Sequence, residues 1–134
     1  MEPTHDQKRL AATLAQLTQA VSTLESVFKN KKTTLVRDAA VQRFEYTFEL
    51  SWKAMSAASR VQGKPYNTPR EAIRMAFTQR WIRDPRTWFK MLEARNRTSH
   101  TYKEENAEAV YKAAKKFSPL ERRLLENLQN LSKD

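Results

Sequence analysis

The sequence predicts an all-α fold: an antiparallel, up-and-down bundle of four main helices with one additional short helix. Three observations lead there. Glycine occurs once, at Gly63, and the five prolines stand only at positions 3, 65, 69, 85 and 119, so structure-breaking residues are scarce. Ala, Leu, Glu, Lys and Arg, all good helix formers, are abundant. Apolar residues recur every three or four positions through several stretches, the period of a helix with one buried face.

The first helix is expected from about Asp6 to Phe28, where Leu10, Leu14, Leu17, Val21, Leu24 and Phe28 form one stripe. Asn30-Lys31-Lys32 then reads as a break. A long second helix is expected from Leu35 to about Val61, capped by Thr34. Val36, Ala40, Phe44, Phe48, Trp52 and Met55 make its main stripe, while Val41, Tyr46 and Leu50 widen it. These aromatic residues read as core, because a stacking platform for bases would need them exposed.

GKPYN, from Gly63 to Asn67, is the clearest turn. Thr68-Pro69-Arg70-Glu71 follows as a start signal: threonine cap, proline at N1 and glutamate at N3. The third, short helix is expected from Pro69 to Trp81, with Ala72, Ile73, Ala76 and Phe77 facing the core. Asp84-Pro85 starts a fourth helix by the same logic. A fifth runs from about Glu104 to Phe117. Ser118-Pro119-Leu120-Glu121 repeats the cap, proline and acid pattern, so the stripe Leu120, Leu124, Leu125, Leu128, Leu131 belongs either to a separate helix or to a kinked continuation. Each stripe must bury itself against another. That gives one helical domain over residues 1–134, with aromatic faces left over for a homodimer interface.

Several chemistries find no support. The chain has no cysteine, hence no disulfide and no thiolate nucleophile. His5 and His100 are its two histidines and stand far apart, so no metal site is expected. Neither a P-loop nor the acidic cluster of a magnesium-dependent nucleotidyl transfer site is present; Asp84, Glu93, Glu104, Glu105 and Glu108 read as caps or solvated residues. The opening MEPTHDQKRL lacks the apolar core of a signal peptide. No run is apolar enough to span a bilayer, and a cytoplasmic location is expected.

The net charge of +10 is uneven. Residues 60–103 carry eleven Lys/Arg against three Asp/Glu, a net +8, whereas 1–59 carry +2 and 104–134 carry zero. Such a field attracts phosphate groups or an acidic partner.

Within that basic segment lies RNRTSHTY, Arg95 to Tyr102. On one helix Arg95 and Tyr102 share a face, as do Asn96 and His100. His100 and Tyr102 diverge unless the helix end loosens. Without a metal, an arginine–histidine pair suits ribonuclease chemistry. Histidine moves protons near neutrality, and arginine grips phosphate and stabilises transition-state charge. His100 would act on the ribose 2′-hydroxyl or the leaving oxygen, with Arg95, Asn96 and His100 holding phosphate. A symmetric dimer would supply a second histidine. The bland alternatives are a helix-terminal histidine, a routine ion pair for Arg95 and a half-buried packing role for Tyr102.

RNRTSHTY matches the RxxxxHxY motif of the HEPN superfamily, with Arg95, His100 and Tyr102 in the defining places. RDAAVQRFEYTFELSWKAM (37–55), TPREAIRMAF (68–77) and DPRTWFKMLEARNRTSHTY (84–102) resemble, in order, the nucleotidyltransferase substrate-binding proteins. That family is similar to the helical domain of kanamycin nucleotidyltransferase. The resemblance implies an all-helical HEPN-like homodimer that binds a separate minimal nucleotidyltransferase. That partner would carry the metal-binding carboxylates and use ATP or another NTP with magnesium. This chain would need no cofactor of its own. The leading expectation is a non-catalytic substrate-binding subunit of that two-component enzyme. The alternative follows the HepT group of toxin–antitoxin pairs: a metal-independent RNase with Arg95 and His100 as catalytic residues, silenced when the nucleotidyltransferase adenylylates Tyr102.

Overall fold

In the computed structural model, which describes residues 2–131, five α-helices and one short 3₁₀ helix follow one another and no strand occurs among the described residues. The helices are α1 (His5–Val27), α2 (Thr34–Val61), α3 (Pro69–Thr78), α4 (Pro85–Asn96) and α5 (Glu104–Leu131), with the 3₁₀ helix Arg97–His100 between α4 and α5. Helix α2 is the axis of the bundle: α1, α3, α4 and α5 all pack on it.

Most of the predicted stripes become the core, but Tyr46 of α2 stays 39% exposed and Trp52 half-buried, so not all of the aromatic stripe is core. Leu17, Val21 and Leu24 of α1 are completely buried, as are Phe44, Phe48 and Met55 of α2. Phe44 stacks on Phe117 of α5 at 6.5 Å between centroids, and Phe48 lies 6.4 Å from Trp88 of α4. Phe28 meets Tyr111 edge-on at 5.6 Å, closing the α1–α2 corner over α5. Truncating any of the large apolar side chains to alanine would cost about 2–5 kcal/mol.

The helix starts follow the capping signals, with adjustments. The Thr4 hydroxyl accepts from the Gln7 N–H while Gln7 accepts from Thr4, a complete capping box that opens α1 one residue earlier than expected. Thr33, not Thr34, caps α2 through the Val36 N–H. Thr68 caps α3 through the Glu71 N–H, and Asp84 caps α4 through the Arg86 N–H and the Thr87 hydroxyl. These two bonds hold the Asp84 carboxyl below the usual carboxylate range, the Thr87 bond contributing most.

Two expectations need correction, the end of α3 and the burial of Phe77. Helix α3 ends at Thr78 rather than Trp81. Arg80 there adopts φ +64°, the Arg80 N–H donates to Phe77 O at 3.0 Å, and the Trp81 N–H donates to Ala76 O at 2.8 Å. This is a Schellman ending, and it swings Trp81 into the core while Phe77 stays 48% exposed. Helix α2 ends with the same pattern around Gly63, at φ +80°.

Of the two alternatives left open after Phe117, the structure shows the continuation: α5 runs unbroken through Pro119. The letters of Ser118-Pro119-Leu120-Glu121 match a cap, but the surroundings do not. Ser118 and Glu121 are buried against the bundle, whereas Pro119 and Lys115 lie on the exposed face. The Lys115 carbonyl that loses its donor therefore meets water. Glu121 receives a long hydrogen bond from Ser51 on α2, at 3.5 Å, and its other oxygen has no partner among the described residues. Burial pushes its carboxyl well above the ordinary glutamate range, against a lesser lowering by Ser51.

Candidate functional site at the junction of α4 and α5

The RNRTSHTY segment straddles the end of α4, the 3₁₀ helix and the bend before α5. Short polar side chains explain why the α-helix gives way here. Thr98 donates to Arg95 O at 2.7 Å, Ser99 to Asn96 O at 3.2 Å, and Thr101 to Thr98 O at 3.1 Å. Each reaches three residues back, the spacing of 3₁₀ winding. The His100 carbonyl then accepts the Lys103 N–H at 3.2 Å and the Asn106 amide at 3.1 Å, fixing the entry into α5.

The loosened end brings together two rings that an ideal helix would separate. His100 and Tyr102 lie 6.2 Å apart between centroids, edge to face at 69°. Both are exposed, Tyr102 at 79%, so its hydroxyl is open to solvent. Arg95 is half-buried and directed otherwise. One terminal nitrogen forms an ion pair with Glu49 of α2, and the other donates to Asn96 Oδ1 at 3.2 Å. The structure thus joins His100 to Tyr102 and Arg95 to Asn96.

Glu49 is a residue to which the sequence reading gave no role. Its second oxygen accepts from the Trp52 indole N–H at 3.3 Å. The i, i+3 spacing of Glu49 and Trp52 was a visible local signal; the pairing of Glu49 with Arg95 depends on how α4 crosses α2.

Beside Tyr102 lies an open cleft of about 430 Å³, lined by Arg37, Asp38, Val41, Thr101, Tyr102 and Glu104. Arg37 is its buried anchor. The guanidinium donates to Glu104 at 2.5 Å, to Glu108 at 3.2 Å and to Asp38 at 3.1 Å. These carboxylates hold the Arg37 pKa above the ordinary arginine value, Glu104 contributing most. Lys32 also donates to Glu108 at 2.5 Å, and Lys32 and Arg37 together lower the Glu108 pKa. Glu104 and Glu108 were expected to be caps or solvated residues; Glu104 is indeed solvated, at 77% exposure, and both also tie the start of α5 to α2 through Arg37.

The basic segment keeps its charge. Among the described residues, no cation from 60 to 103 other than Arg95 forms an ion pair. Arg70 and Arg74 instead lie over the Phe89 ring at 5.4 and 6.0 Å. No group of three or more His, Cys, Asp or Glu side chains among the described residues is placed to hold a metal ion. No helix among them is long and apolar enough to cross a membrane.

Residues 6–130 match the family model described as nucleotidyltransferase substrate binding protein like. The chain belongs to this family. As a member it is similar to a Thermus thermophilus protein of known crystal structure, at 35% identity and TM-score 0.78, covering 84% of this chain and 98% of that one. A Haemophilus influenzae structure, described as revealing the fold of a substrate binding domain of a nucleotidyltransferase, is 30% identical at TM-score 0.61, covering 91% and 98%. A second Haemophilus influenzae comparison is with Probable ribonuclease HepT, 35% identical over 97 residues; the match spans 67% of this chain and 65% of that relative. The all-helical HEPN-like bundle of this family member is thus shared with solved relatives across nearly its whole length.

Proposed function

We propose that this family member is a metal-independent endoribonuclease of the HepT kind, with Arg95 and His100 at its centre and Tyr102 as its control point. The observation that carries the reading is the loosened end of α4, where His100 and Tyr102 come within ring contact on an exposed surface and Arg95 stands on the preceding turn. The similarity to a relative named as a ribonuclease puts this reading ahead of the partner-subunit reading that the sequence alone places first.

In this reaction the ribose 2′-oxygen attacks the adjacent phosphorus and the 5′-oxygen leaves. One histidine accepts the 2′-hydroxyl proton, and another donates a proton to the departing oxygen. The products are a 2′,3′-cyclic phosphate and a free 5′-hydroxyl. Because each chain contributes one histidine to the motif, a homodimer supplies both roles. Arg95 stabilises the charge that develops on the phosphorane oxygens. Asn96, bonded to the Arg95 guanidinium, orients it toward phosphate. The unneutralised basic segment supplies the field that gathers RNA.

Tyr102 gives the switch its handle. Its exposed hydroxyl attacks the α-phosphorus of ATP in a partner nucleotidyltransferase, magnesium being held by that partner, and pyrophosphate leaves. The added adenylate places a bulky anion beside His100, where it competes with substrate phosphate.

The family description and the substrate-binding-domain relative favour a second reading, in which the chain is the helical partner of a minimal nucleotidyltransferase without cleaving RNA. Expression of the chain alone separates the two. The ribonuclease reading predicts growth arrest that His100→Ala abolishes. Undisturbed growth with folded, unmodified wild-type protein accumulating supports the partner-subunit reading.

A further inference from the structure

A second concave site lies on the other half of α2. There α1, the C-terminal turns of α2 and the loop after it enclose a pocket of about 260 Å³. With a rise of 1.5 Å per residue, the nearest α2 lining residues of the two sites, Leu50 here and Val41 in the Tyr102 cleft, lie about 14 Å apart along the helix. The two sites are therefore separate.

The pocket has the chemistry of an anion site with an aromatic wall. Arg9, Lys53 and Arg60 line it, no carboxylate does, and none of the three cations forms an ion pair among the described residues. Three cations at one concavity without counter-charge give a local positive field that attracts an anion. Trp52 and Tyr66 supply ring surface, both half-buried. The Gln16 and Asn67 amides lie at the rim with no hydrogen-bond partner among the described residues, leaving donors and acceptors for a polar edge. The wall is also held in place: the Ser56 hydroxyl donates to the Tyr66 carbonyl, fastening the loop to α2.

We propose that this pocket binds a free mononucleotide, its phosphate held by Arg9, Lys53 and Arg60 and its base against Trp52. Phosphate alone would use the cations and leave the rings idle; a neutral nucleoside would do the reverse. The pocket volume suits a ligand of mononucleotide size or smaller. The site also has a line to the motif arginine, because Trp52 donates to Glu49 and Glu49 pairs with Arg95. The proposal stands independently of whether the chain cleaves RNA.

The test is titration of the full chain with AMP, adenosine and inorganic phosphate. Calorimetry gives affinity, and tryptophan fluorescence reports the site. Trp81 and Trp88 are buried in the core, so the response should come from Trp52 and vanish in Trp52→Phe. AMP should bind saturably and more tightly than adenosine or phosphate. Lys53→Ala combined with Arg60→Ala should weaken AMP about tenfold or more, with the melting temperature preserved. Arg86→Ala, the same kind of charge loss outside the pocket, should leave affinity within about twofold. No saturable AMP binding by folded wild type would overturn the proposal. So would equal weakening by Arg86→Ala, which would mark a diffuse charge effect, or phosphate binding as well as AMP.

Discussion

Glu49 on α2 holds the guanidinium of Arg95 on α4, so the arginine of the RxxxxHxY motif is neutralised by a carboxylate from another helix. An incoming RNA phosphate must share or displace that carboxylate. Glu49→Gln should therefore tighten RNA binding about fivefold at low salt, the scale of one partly exposed ion pair. Anisotropy of labelled RNA across a salt series measures this. Unchanged or weaker binding would show that Glu49 does not compete with phosphate.

Glu121 should behave as a buried, protonated acid. Its native pKa is raised by burial, so below the ordinary glutamate pKa its contribution to stability is fully present. As pH rises toward the raised native value the unfolded state loses the proton first, and stability falls. Glu121→Gln keeps a hydrogen-bonding neutral group at the same place. It should raise the unfolding free energy at pH 7 by about 1–3 kcal/mol, with the advantage shrinking toward pH 4. Urea unfolding of both proteins at several pH values checks the sign and the window.

Glu25 runs in the opposite sense. The Arg122 guanidinium donates to it at 2.6 and 2.9 Å and lowers its pKa. Its stabilising contribution is present at neutral pH and lost as pH falls through the ordinary glutamate value toward the lowered native pKa. Glu25→Gln should destabilise modestly at pH 7, by about 0.5 kcal/mol for a partly exposed pair, and hardly at all in acid. Thermal melts at pH 7 and pH 3 measure the difference.

Arg80 and Gly63 occupy equivalent places in two Schellman endings, both with positive φ. Glycine takes this conformation freely, and arginine does not. Arg80→Gly should therefore stabilise the protein by about 1 kcal/mol, seen as a higher urea midpoint at unchanged slope.

Much of this was legible in the sequence because it rests on local period and local caps. The stripe from Leu14 to Leu24, the aromatic stripe of α2, and the starts at Thr68 and Asp84 depend on residues within one or two turns. What stayed hidden was tertiary. Ser118-Pro119-Leu120-Glu121 spells a cap, and only its packing on Ser51 shows that the helix continues. Arg80 does the work usually done by glycine, so nothing in the letters marked the end of α3. At the candidate site, the need for a loosened helix end followed from the angular positions of His100 and Tyr102. The pairing of Glu49 with Arg95 and of Arg37 with Glu104 and Glu108 did not, because those partners lie on segments that only the bundle brings near.

Ribonuclease activity is tested by incubating the purified protein with RNA in EDTA, beside His100→Ala. Intact mass confirms that Tyr102 is unmodified, and circular dichroism that both proteins are folded. Wild type should cleave the RNA to products ending in cyclic phosphate, and His100→Ala should lose about 100-fold or more of that activity. Intact RNA after incubation with folded, unmodified wild type would contradict the ribonuclease reading.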